Sequence, residues 1–596
     1  MDTKHTMTQS HPGNPEFGVR GDDAQWLPGS GHAGDRRVAV TDLLLVADSS
    51  VDPIIRFLAD PTCPPAIKAT VAPYNQVQQV LADIACRDRS DNIETVMVWT
   101  RPEGAIPTFS KILQFEPPAL DDLLAEVDQF AGLICEAARR VGTVFVLSWA
   151  LPPYRRWIQA ITLRHESGLG NILMRMNLRL AERFCESNNI ILLDCQQWYA
   201  SLQKPAYDAK LHALAKVDYS RDFFVKAASE IKAVLQGLRG QARKLVICDL
   251  DNTLWGGVIG DDGMENVKLG GHDGMGESFV AFQQELLALR KRGILLGICS
   301  KNDPELAWKM IDEHSEMALR RADFASAKIN WSDKAENISQ MLRELNLLPE
   351  SAVFLDDHPA ERERVRQAFP GMLVPDLPAD VAGYAAFLAG LDCFETGSIT
   401  AEDRARTGFY RKEAEGRAVI ACGGSIQAWL ESLQIVLKVE KLDRGNLVRA
   451  AQLLNKTNQF NMATRRMDQE DFWRWCISPG HQAWIFSVMD RLGDSGITGL
   501  ITVDLTNAQQ ARLVDFVMSC RVMGKQIEEA MLNVVKGALE VRGARELSTS
   551  YHRTDRNQPF LDFIKNKWMH GAGDVLEMSK IAPPPHIRIE QETPPG

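Results

Sequence analysis

Short apolar runs alternate along this chain with longer stretches in which apolar residues recur every three or four positions. The first pattern predicts strands and the second amphipathic helices, and their regular exchange predicts α/β architecture. Apolar runs fall at residues 43–47, 95–99, 143–147 and 190–193, with a helical pattern over 123–139 between them. Runs that are apolar at every position suit strands covered on both faces. A parallel sheet flanked by helices is therefore expected over residues 37–240. The stretch 238–243 is basic and contains glycine, as a linker would.

The order then repeats. A buried strand is predicted over Leu245–Cys248, then a helix over 277–292 with Phe279, Phe282, Leu286 and Leu289 on one face and Gly293 as its stop. Strand 294–299, helix 333–345 and strand 352–355 complete a second α/β unit, residues 241–395. From 396 to 578 the character changes: a helix at 447–454 precedes strands at 483–489, 499–505 and 512–518, then a helix at 527–539. No internal repeat is present. Residues 1–36 are rich in Gly, Asp, Ser and Pro and poor in apolar side chains, and the tail 579–596 carries Pro583-Pro584-Pro585. Both ends are expected to be disordered.

Composition narrows this picture modestly. At 596 residues the chain exceeds what one core supports. A formal charge of -11 lacks the basic excess by which nucleic-acid binders neutralise phosphates, so no nucleic-acid partner is expected. The 11 cysteines include no CxxC pair, which suits the reduced thiols of a cytoplasmic protein. With no apolar run of membrane length and no signal-like N-terminus, a membrane partner is not expected either.

Candidate chemistry gathers where the strands of the second unit end. Strand Leu245–Cys248 runs into Asp249, Asp251 and Thr253, and open α/β sheets carry their sites beyond the carboxyl ends of strands. Two acids and a hydroxyl at that point can hold Mg²⁺, attack phosphorus and shuttle a proton. Asp249 is the expected nucleophile, and Asp251 the acid that protonates the leaving oxygen and then deprotonates water. Ser300, past strand 294–299, would donate a hydrogen bond to the phosphoryl group, and Lys334, at a helix start, would neutralise an aspartyl-phosphate. Asp356 and Asp357 end another strand and would complete, with Asp249 and Asp251, a Mg²⁺ site of hard oxygen ligands, Asp357 being favoured as the direct ligand. Between Thr253 and residue 277, and again between Ser300 and Lys334, there is room for a glycine-rich flap but not for a cap domain. An open site of this kind accepts large or protein-tethered substrates.

The spacing Asp249-x-Asp251-x-Thr253 resembles the DxDxT signature of the haloacid dehalogenase (HAD) phosphotransferases. The longer stretches 249–260, Ile298-Cys-Ser-Lys-Asn302, 330–338 and Val353-Phe-Leu-Asp-Asp357 resemble HAD subfamily IIIC. With Asn455-Lys-Thr-Asn-Gln-Phe-Asn461 and Asp490-Arg-Leu-Gly-Asp-Ser-Gly496, they are similar to the FkbH-like glyceryl transferase/phosphatases of polyketide biosynthesis, over about residues 37–578. That resemblance implies a capless, Rossmann-like HAD domain that removes phosphate from 1,3-bisphosphoglycerate with Mg²⁺. It also implies loading of a glyceryl unit onto the phosphopantetheine arm of an acyl carrier protein, supplying extender units such as methoxymalonyl-carrier protein. A cysteine acceptor is implied as well. Cys299, beside Ser300 and with Lys301 near enough to favour a thiolate, is the candidate, whereas Cys248 should lie in the core. Two other readings stand beside this one: a capless phosphatase for another phosphorylated substrate, and a carrier-protein-binding scaffold with an inert site.

The flanking units carry weaker resemblances. Arg521-Val-Met-Gly524 resembles the pyrophosphate loop of GNAT-type acetyltransferases, whose backbone N–H groups at a helix start hold phosphate. Asn557 to Phe563, before Trp568, is similar to the final helix of that fold. Gln526 departs from the loop's last small position, so Arg521 and Gly524 are expected to seat a phosphopantetheine arm rather than acetyl-coenzyme A. The first unit resembles SGNH hydrolases, since Ala47-Asp48-Ser49 follows its first strand. Ala47 replaces the usual glycine, and Asp208 and His212 stand one residue too far apart for Asp-x-x-His. A docking module is therefore expected, with Trp99-Thr-Arg-Pro-Glu103 at its surface or in an inter-domain contact.

Overall fold

The structure, a computed structural model, describes residues 41–86, 94–116, 119–151, 157–165, 167–421, 426–506, 510–544, 546–554, 556–567, 575–576, 578 and 581–591. The N-terminal segment 1–36 and Trp568 lie outside the described residues. Three sheets are present among them.

The first sheet contains β1 (Thr41–Ala47), β2 (Ile67–Val71), β3 (Thr95–Trp99), β4 (Thr143–Leu147) and β5 (Ile190–Leu193), all parallel in the order β2-β1-β3-β4-β5. Packing explains why its central strands are apolar at every position, since successive side chains point to opposite faces. Leu43, Leu45, Met97, Trp99 and Phe145 meet helix Arg221–Leu238 on one face. Val46, Val96, Val98 and Val144 meet helices Leu120–Ala138 and Leu169–Phe184 on the other. Strand β2 escaped the pattern because Ile67-Lys-Ala-Thr-Val71 lies at the sheet edge, with only Ile67 buried. Trp99, expected at a surface, is fully buried against Phe223 and Phe224, because it continues the inward face of β3.

The second sheet is also parallel: β6 (Leu245–Cys248), β7 (Leu295–Ser300), β8 (Phe324–Ile329) and β9 (Ala352–Leu355), in the order β8-β7-β6-β9. Val246, Cys248, Ile298, Val353 and Leu355 pack towards helix Gly274–Lys291. Leu245, Ile247, Leu295, Cys299 and Phe354 pack towards helix Lys334–Glu344. Asp273 and Asp333 cap those two helices, accepting from the backbone N–H of Gly276 and Glu336, both at 3.1 Å.

The third sheet, of seven strands, holds β10 (Ile435–Lys441), β11 (His481–Asp490), β12 (Gly493–Asp504), β13 (Gln510–Met518), β14 (Glu546–Thr549), β15 (Val575–Leu576) and β16 (Ile587–Gln591). Strands β10 to β13 form an antiparallel meander, and β14 pairs parallel with the first part of β13. Beyond that pairing, residues 460–462 take over the edge of β13: Met462 N–H donates to Phe516 O at 3.1 Å and Met518 N–H to Phe460 O at 2.9 Å. Helix Ala401–Ala421 opens with a capping box between Thr400 and Asp403, and its Tyr410 joins the core of the second sheet. The expectation of a wholly disordered tail is corrected: β16 pairs parallel with β10 and buries Ile587. Its alternation, Ile-Arg-Ile-Glu, is that of an edge strand with one inward face. All described cysteines are free, and no described helix is long and apolar enough to cross a membrane.

Candidate active site

Register builds the site. Cys248 of β6 pairs with Leu355 of β9, and both face helix Gly274–Lys291. The next residue on each strand, Asp249 and Asp356, therefore turns to the opposite side, where helix Lys334–Glu344 begins. The first residue of that helix reaches both: Lys334 Nζ lies 2.9 Å from Asp249 Oδ2 and 2.6 Å from Asp356 Oδ2. Lys334 is 3% exposed and Asp356 fully buried, so this contact forms away from water.

Asp249, Asp356 and Asp357 each offer a carboxylate oxygen, and these oxygens lie within 4.8 Å of one another. Three carboxylates against one ammonium leave an excess of negative charge. Asp249 Oδ1 and Thr253 Oγ1 are buried without a hydrogen-bond partner, groups that a bound ion or substrate would satisfy. The donor set is all hard oxygen, so the residues present fit Mg²⁺. Burial, and then the Asp249 charge, push Asp356 up to about 6 and raise Asp357 in the same direction. Burial opposes the charge on Lys334, but Asp249 and Asp356 more than offset it and hold its pKa above the usual lysine range.

Asp251 stands apart from this group. Leu250 between the two acids is buried, and Asn252 adopts φ 53°, a left-handed turn that Asn tolerates. The Asp251 carboxylate accepts from Trp255 Nε1 (2.9 Å), the Ile259 N–H (3.2 Å) and Asn302 Nδ2 (2.9 Å). Its side chain does not belong to the metal-ligating cluster, which corrects that part of the expected ligand set. Burial raises its pKa, as a proton donor needs. Ser300, 2% exposed, is the last residue of β7 rather than the first past it. The glycine-rich flap is a small hairpin in which Gly256 pairs with Lys268.

Two residues escaped sequence reasoning. Asn302, which ends the Ile298-Cys-Ser-Lys-Asn302 stretch but was given no role there, fixes Asp251. Arg362, 8% exposed, donates from Nη1 to the carbonyls of Asp356 (2.8 Å) and Asp357 (2.7 Å), pinning the loop that carries both acids.

The Cys299 expectation is corrected. Its side chain is fully buried with Leu245, Ile247 and Phe354, and its thiol contacts Lys334 O at 3.6 Å. Burial pushes the thiol up to about 12, so it is held protonated. Lys301 points elsewhere, to Glu361 at 2.7 Å. Cys248 is a core residue, as expected.

The Arg521–Gly524 loop also departs from expectation. Gly524 does adopt φ 81°, and Gln526 precedes helix Ile527–Val541, but that helix carries Glu528 and Glu529 in its first turn, which repel phosphate. The Arg521 side chain turns instead to Glu402 at 3.0 Å. In the first sheet, Ser49 Oγ is buried without a partner, while His212 Nδ1 meets Asp218 Oδ1 at 2.5 Å. Arg101 lies 3.5 Å from Asp48 and 3.2 Å from Asp218. Asp208 caps a helix rather than pairing with His212, and Ser49 Oγ accepts and donates no hydrogen bond among the described residues.

Similarity to known structures agrees with the second sheet's geometry. The N-terminal part of BF1531 from Bacteroides fragilis, which contains a phosphatase domain and was crystallised with Mg, is 27% identical with a TM-score of 0.55. The match covers 61% of this chain and 96% of that one, more than the second sheet and its helices alone could fill. An Escherichia coli ribosomal-protein-S18-alanine N-acetyltransferase matches 23% of this chain and 79% of its own at 11% identity and a TM-score of 0.18. A Vibrio cholerae spermidine N-acetyltransferase matches 19% and 69% at 16% identity and a TM-score of 0.16. Those two likenesses are too slight to carry an argument. No family model and no curated protein matches the chain. The sheet, the register of its acids and the likeness to BF1531 together support a HAD-like phosphatase domain.

Proposed function

We propose that this protein is a Mg²⁺-dependent glyceryl transferase/phosphatase of the FkbH-like type, which takes 1,3-bisphosphoglycerate and loads a glyceryl unit onto an acyl carrier protein for polyketide biosynthesis. The observation that carries the phosphatase half is the convergence of Asp249, Asp356 and Asp357, the first two paired with Lys334, with Asp249 Oδ1 left without a partner. The motifs at 298–302, 330–338 and 353–357, together with Asn455–Asn461 and Asp490–Gly496, support the transferase half by resemblance.

Asp249 attacks phosphorus through a carboxylate oxygen, and Lys334 balances the charge that builds on it. Asp251, raised by burial and anchored by Trp255 and Asn302, gives its proton to the departing oxygen and recovers one from water. Ser300 supplies a hydroxyl to the phosphoryl oxygens. Mg²⁺ bound by Asp249, Asp356 and Asp357 would screen the phosphoryl charge and orient it for in-line attack. For acyl transfer, burial of Cys299 favours direct attack by the carrier's pantetheine thiolate on the C1 acyl phosphate: the C–S bond forms, the C–O bond to phosphate breaks, and phosphate leaves.

Intact-mass spectrometry of both proteins, after incubation with Mg²⁺, 1,3-bisphosphoglycerate and a holo carrier protein, tests this. A glyceryl mass on the carrier supports the proposal. Phosphate release with the carrier unmodified would point instead to a phosphatase for another substrate. The inaccessible Cys299 keeps that second reading in play.

A further inference from the structure

A second charged cavity, of about 120 Å³, lies between the amino ends of the second sheet and the third sheet. At roughly 10–15 Å³ per water by such a measure, it has room for an organic molecule rather than one ion. Arg243, Lys244 and Arg292 line it from the second unit; Arg406, Arg449, Lys456 and Arg521 come from the third. Asp403 is the one carboxylate in its lining, and Glu402 just outside pairs with both Arg449 and Arg521. Two carboxylates thus face seven cationic side chains.

Some of these cations have structural partners. Arg243 donates to the carbonyls of Glu350 and Gly371, Arg292 to Phe394 O, and Arg406 to Gly293 O. Others are only partly matched: Arg449 pairs with Glu402, but its buried Nε has no acceptor. Lys456 Nζ reaches only Ser398. Burial pushes the pKa values of Arg449 and Lys456 down; Glu402 and Asp403 respectively offset part of that fall, and neighbouring arginines add to it. Ile294, Phe394 and Leu453 give the cavity an apolar wall.

We propose that this cavity binds a small organic molecule carrying two or more phosphate groups. It is not the Asp249 site. Lys244 precedes β6 and Asp249 follows it, so the strand separates them by roughly 15 Å at about 3.3 Å per residue. The cation cluster stands apart from the glyceryl-transfer reading, and only the choice of a three-carbon probe rests on that reading. Two sources share the chemistry: a coenzyme A-like nucleotide, and a bisphosphorylated three-carbon acid.

Cys520 lines the cavity and reports on it. In the full-length Asp249→Asn protein, which keeps the cavity intact, Cys520 alkylation is followed by peptide mass spectrometry. Desulfo-coenzyme A, 2,3-bisphosphoglycerate and pyrophosphate are added separately. One of the two organic probes should slow modification of Cys520 at least fivefold, while exposed Cys63 and Cys185 react unchanged. The probe that does so names the source. Calorimetric affinity for it should fall at least tenfold in Lys244→Gln and in Lys456→Gln. Alkylation at an unaltered rate with all three probes overturns the proposal, as does protection that survives both substitutions. Protection by pyrophosphate alone, with neither organic probe effective, also overturns it. Should the variants fail to fold, protection on the Asp249→Asn protein decides alone.

Discussion

Replacing Lys334 with Met tests whether the buried ammonium holds the acidic site together. Lys334 is 3% exposed and bridges Asp249 and Asp356, so the substitution keeps most of the volume and removes the cation that bridges them. Breaking a buried ion pair by deleting one partner costs about 3–5 kcal/mol. Part of that loss should depend on pH. Asp356 is already raised from 3.8 to about 6 with Lys334 beside it. A carboxyl raised in the folded state contributes stability that is full below about pH 4 and lost as pH rises through its folded value. Without Lys334 that value rises further, so stability should fall more steeply between pH 5 and pH 8 than in the parent. Hydrogen exchange at the amides of β6 and β9 reads the local opening energy directly. At pH 8 these amides should exchange roughly 10²- to 4 × 10³-fold faster in the variant, at about 1.4 kcal/mol per tenfold. At pH 5 the gap should shrink by up to about tenfold for each unit of added shift. A change below about 1 kcal/mol at pH 8, or an equal change at both pH values, would refute the reasoning.

Asp249→Asn should reduce phosphate release by more than about 10³-fold while leaving the fold intact, measured as inorganic phosphate from a simple ester with Mg²⁺ present; retained turnover would exclude an aspartyl-phosphate route. Asn302→Ala removes the donor to Asp251 Oδ2, which favours the ionised acid. Asp251 should then titrate higher still, shifting the pH profile of kcat to higher pH with a roughly tenfold lower maximum, and an unshifted profile would deny Asn302 that role. Cys299→Ala should cost about 1–3 kcal/mol in chemical denaturation and spare both phosphate release and carrier loading. Loss of loading alone would return Cys299 to the mechanism.

Much of the site was legible because its information is local. Apolar runs ending in Asp249 and in Asp356-Asp357 mark buried strands whose next residues must emerge at the sheet's carboxyl edge. Lys334 could be placed because Asp333 caps its helix. Strands β2 and β8 were not legible: each sits at a sheet edge, where half-polar sequences are compatible with pairing. Strand β16 was hidden by the prolines before it, and its partner β10 lies some 150 residues earlier in the chain.

The sequence by itself determined the class of chemistry, since spacing of carboxylates along a strand fixes which can share an edge. Tertiary structure decided what each group can do there. Cys299 lost its nucleophilic role to burial under Lys334, because strand alternation places it on the covered face one residue before the edge. Asp251 left the metal cluster because Trp255 and Asn302 claim its oxygens. Arg521 moved from a phosphate loop to a cavity shared with Lys244, 277 positions away in the chain. Charge crowding of that kind depends on which elements pack together, and no local spacing encodes it.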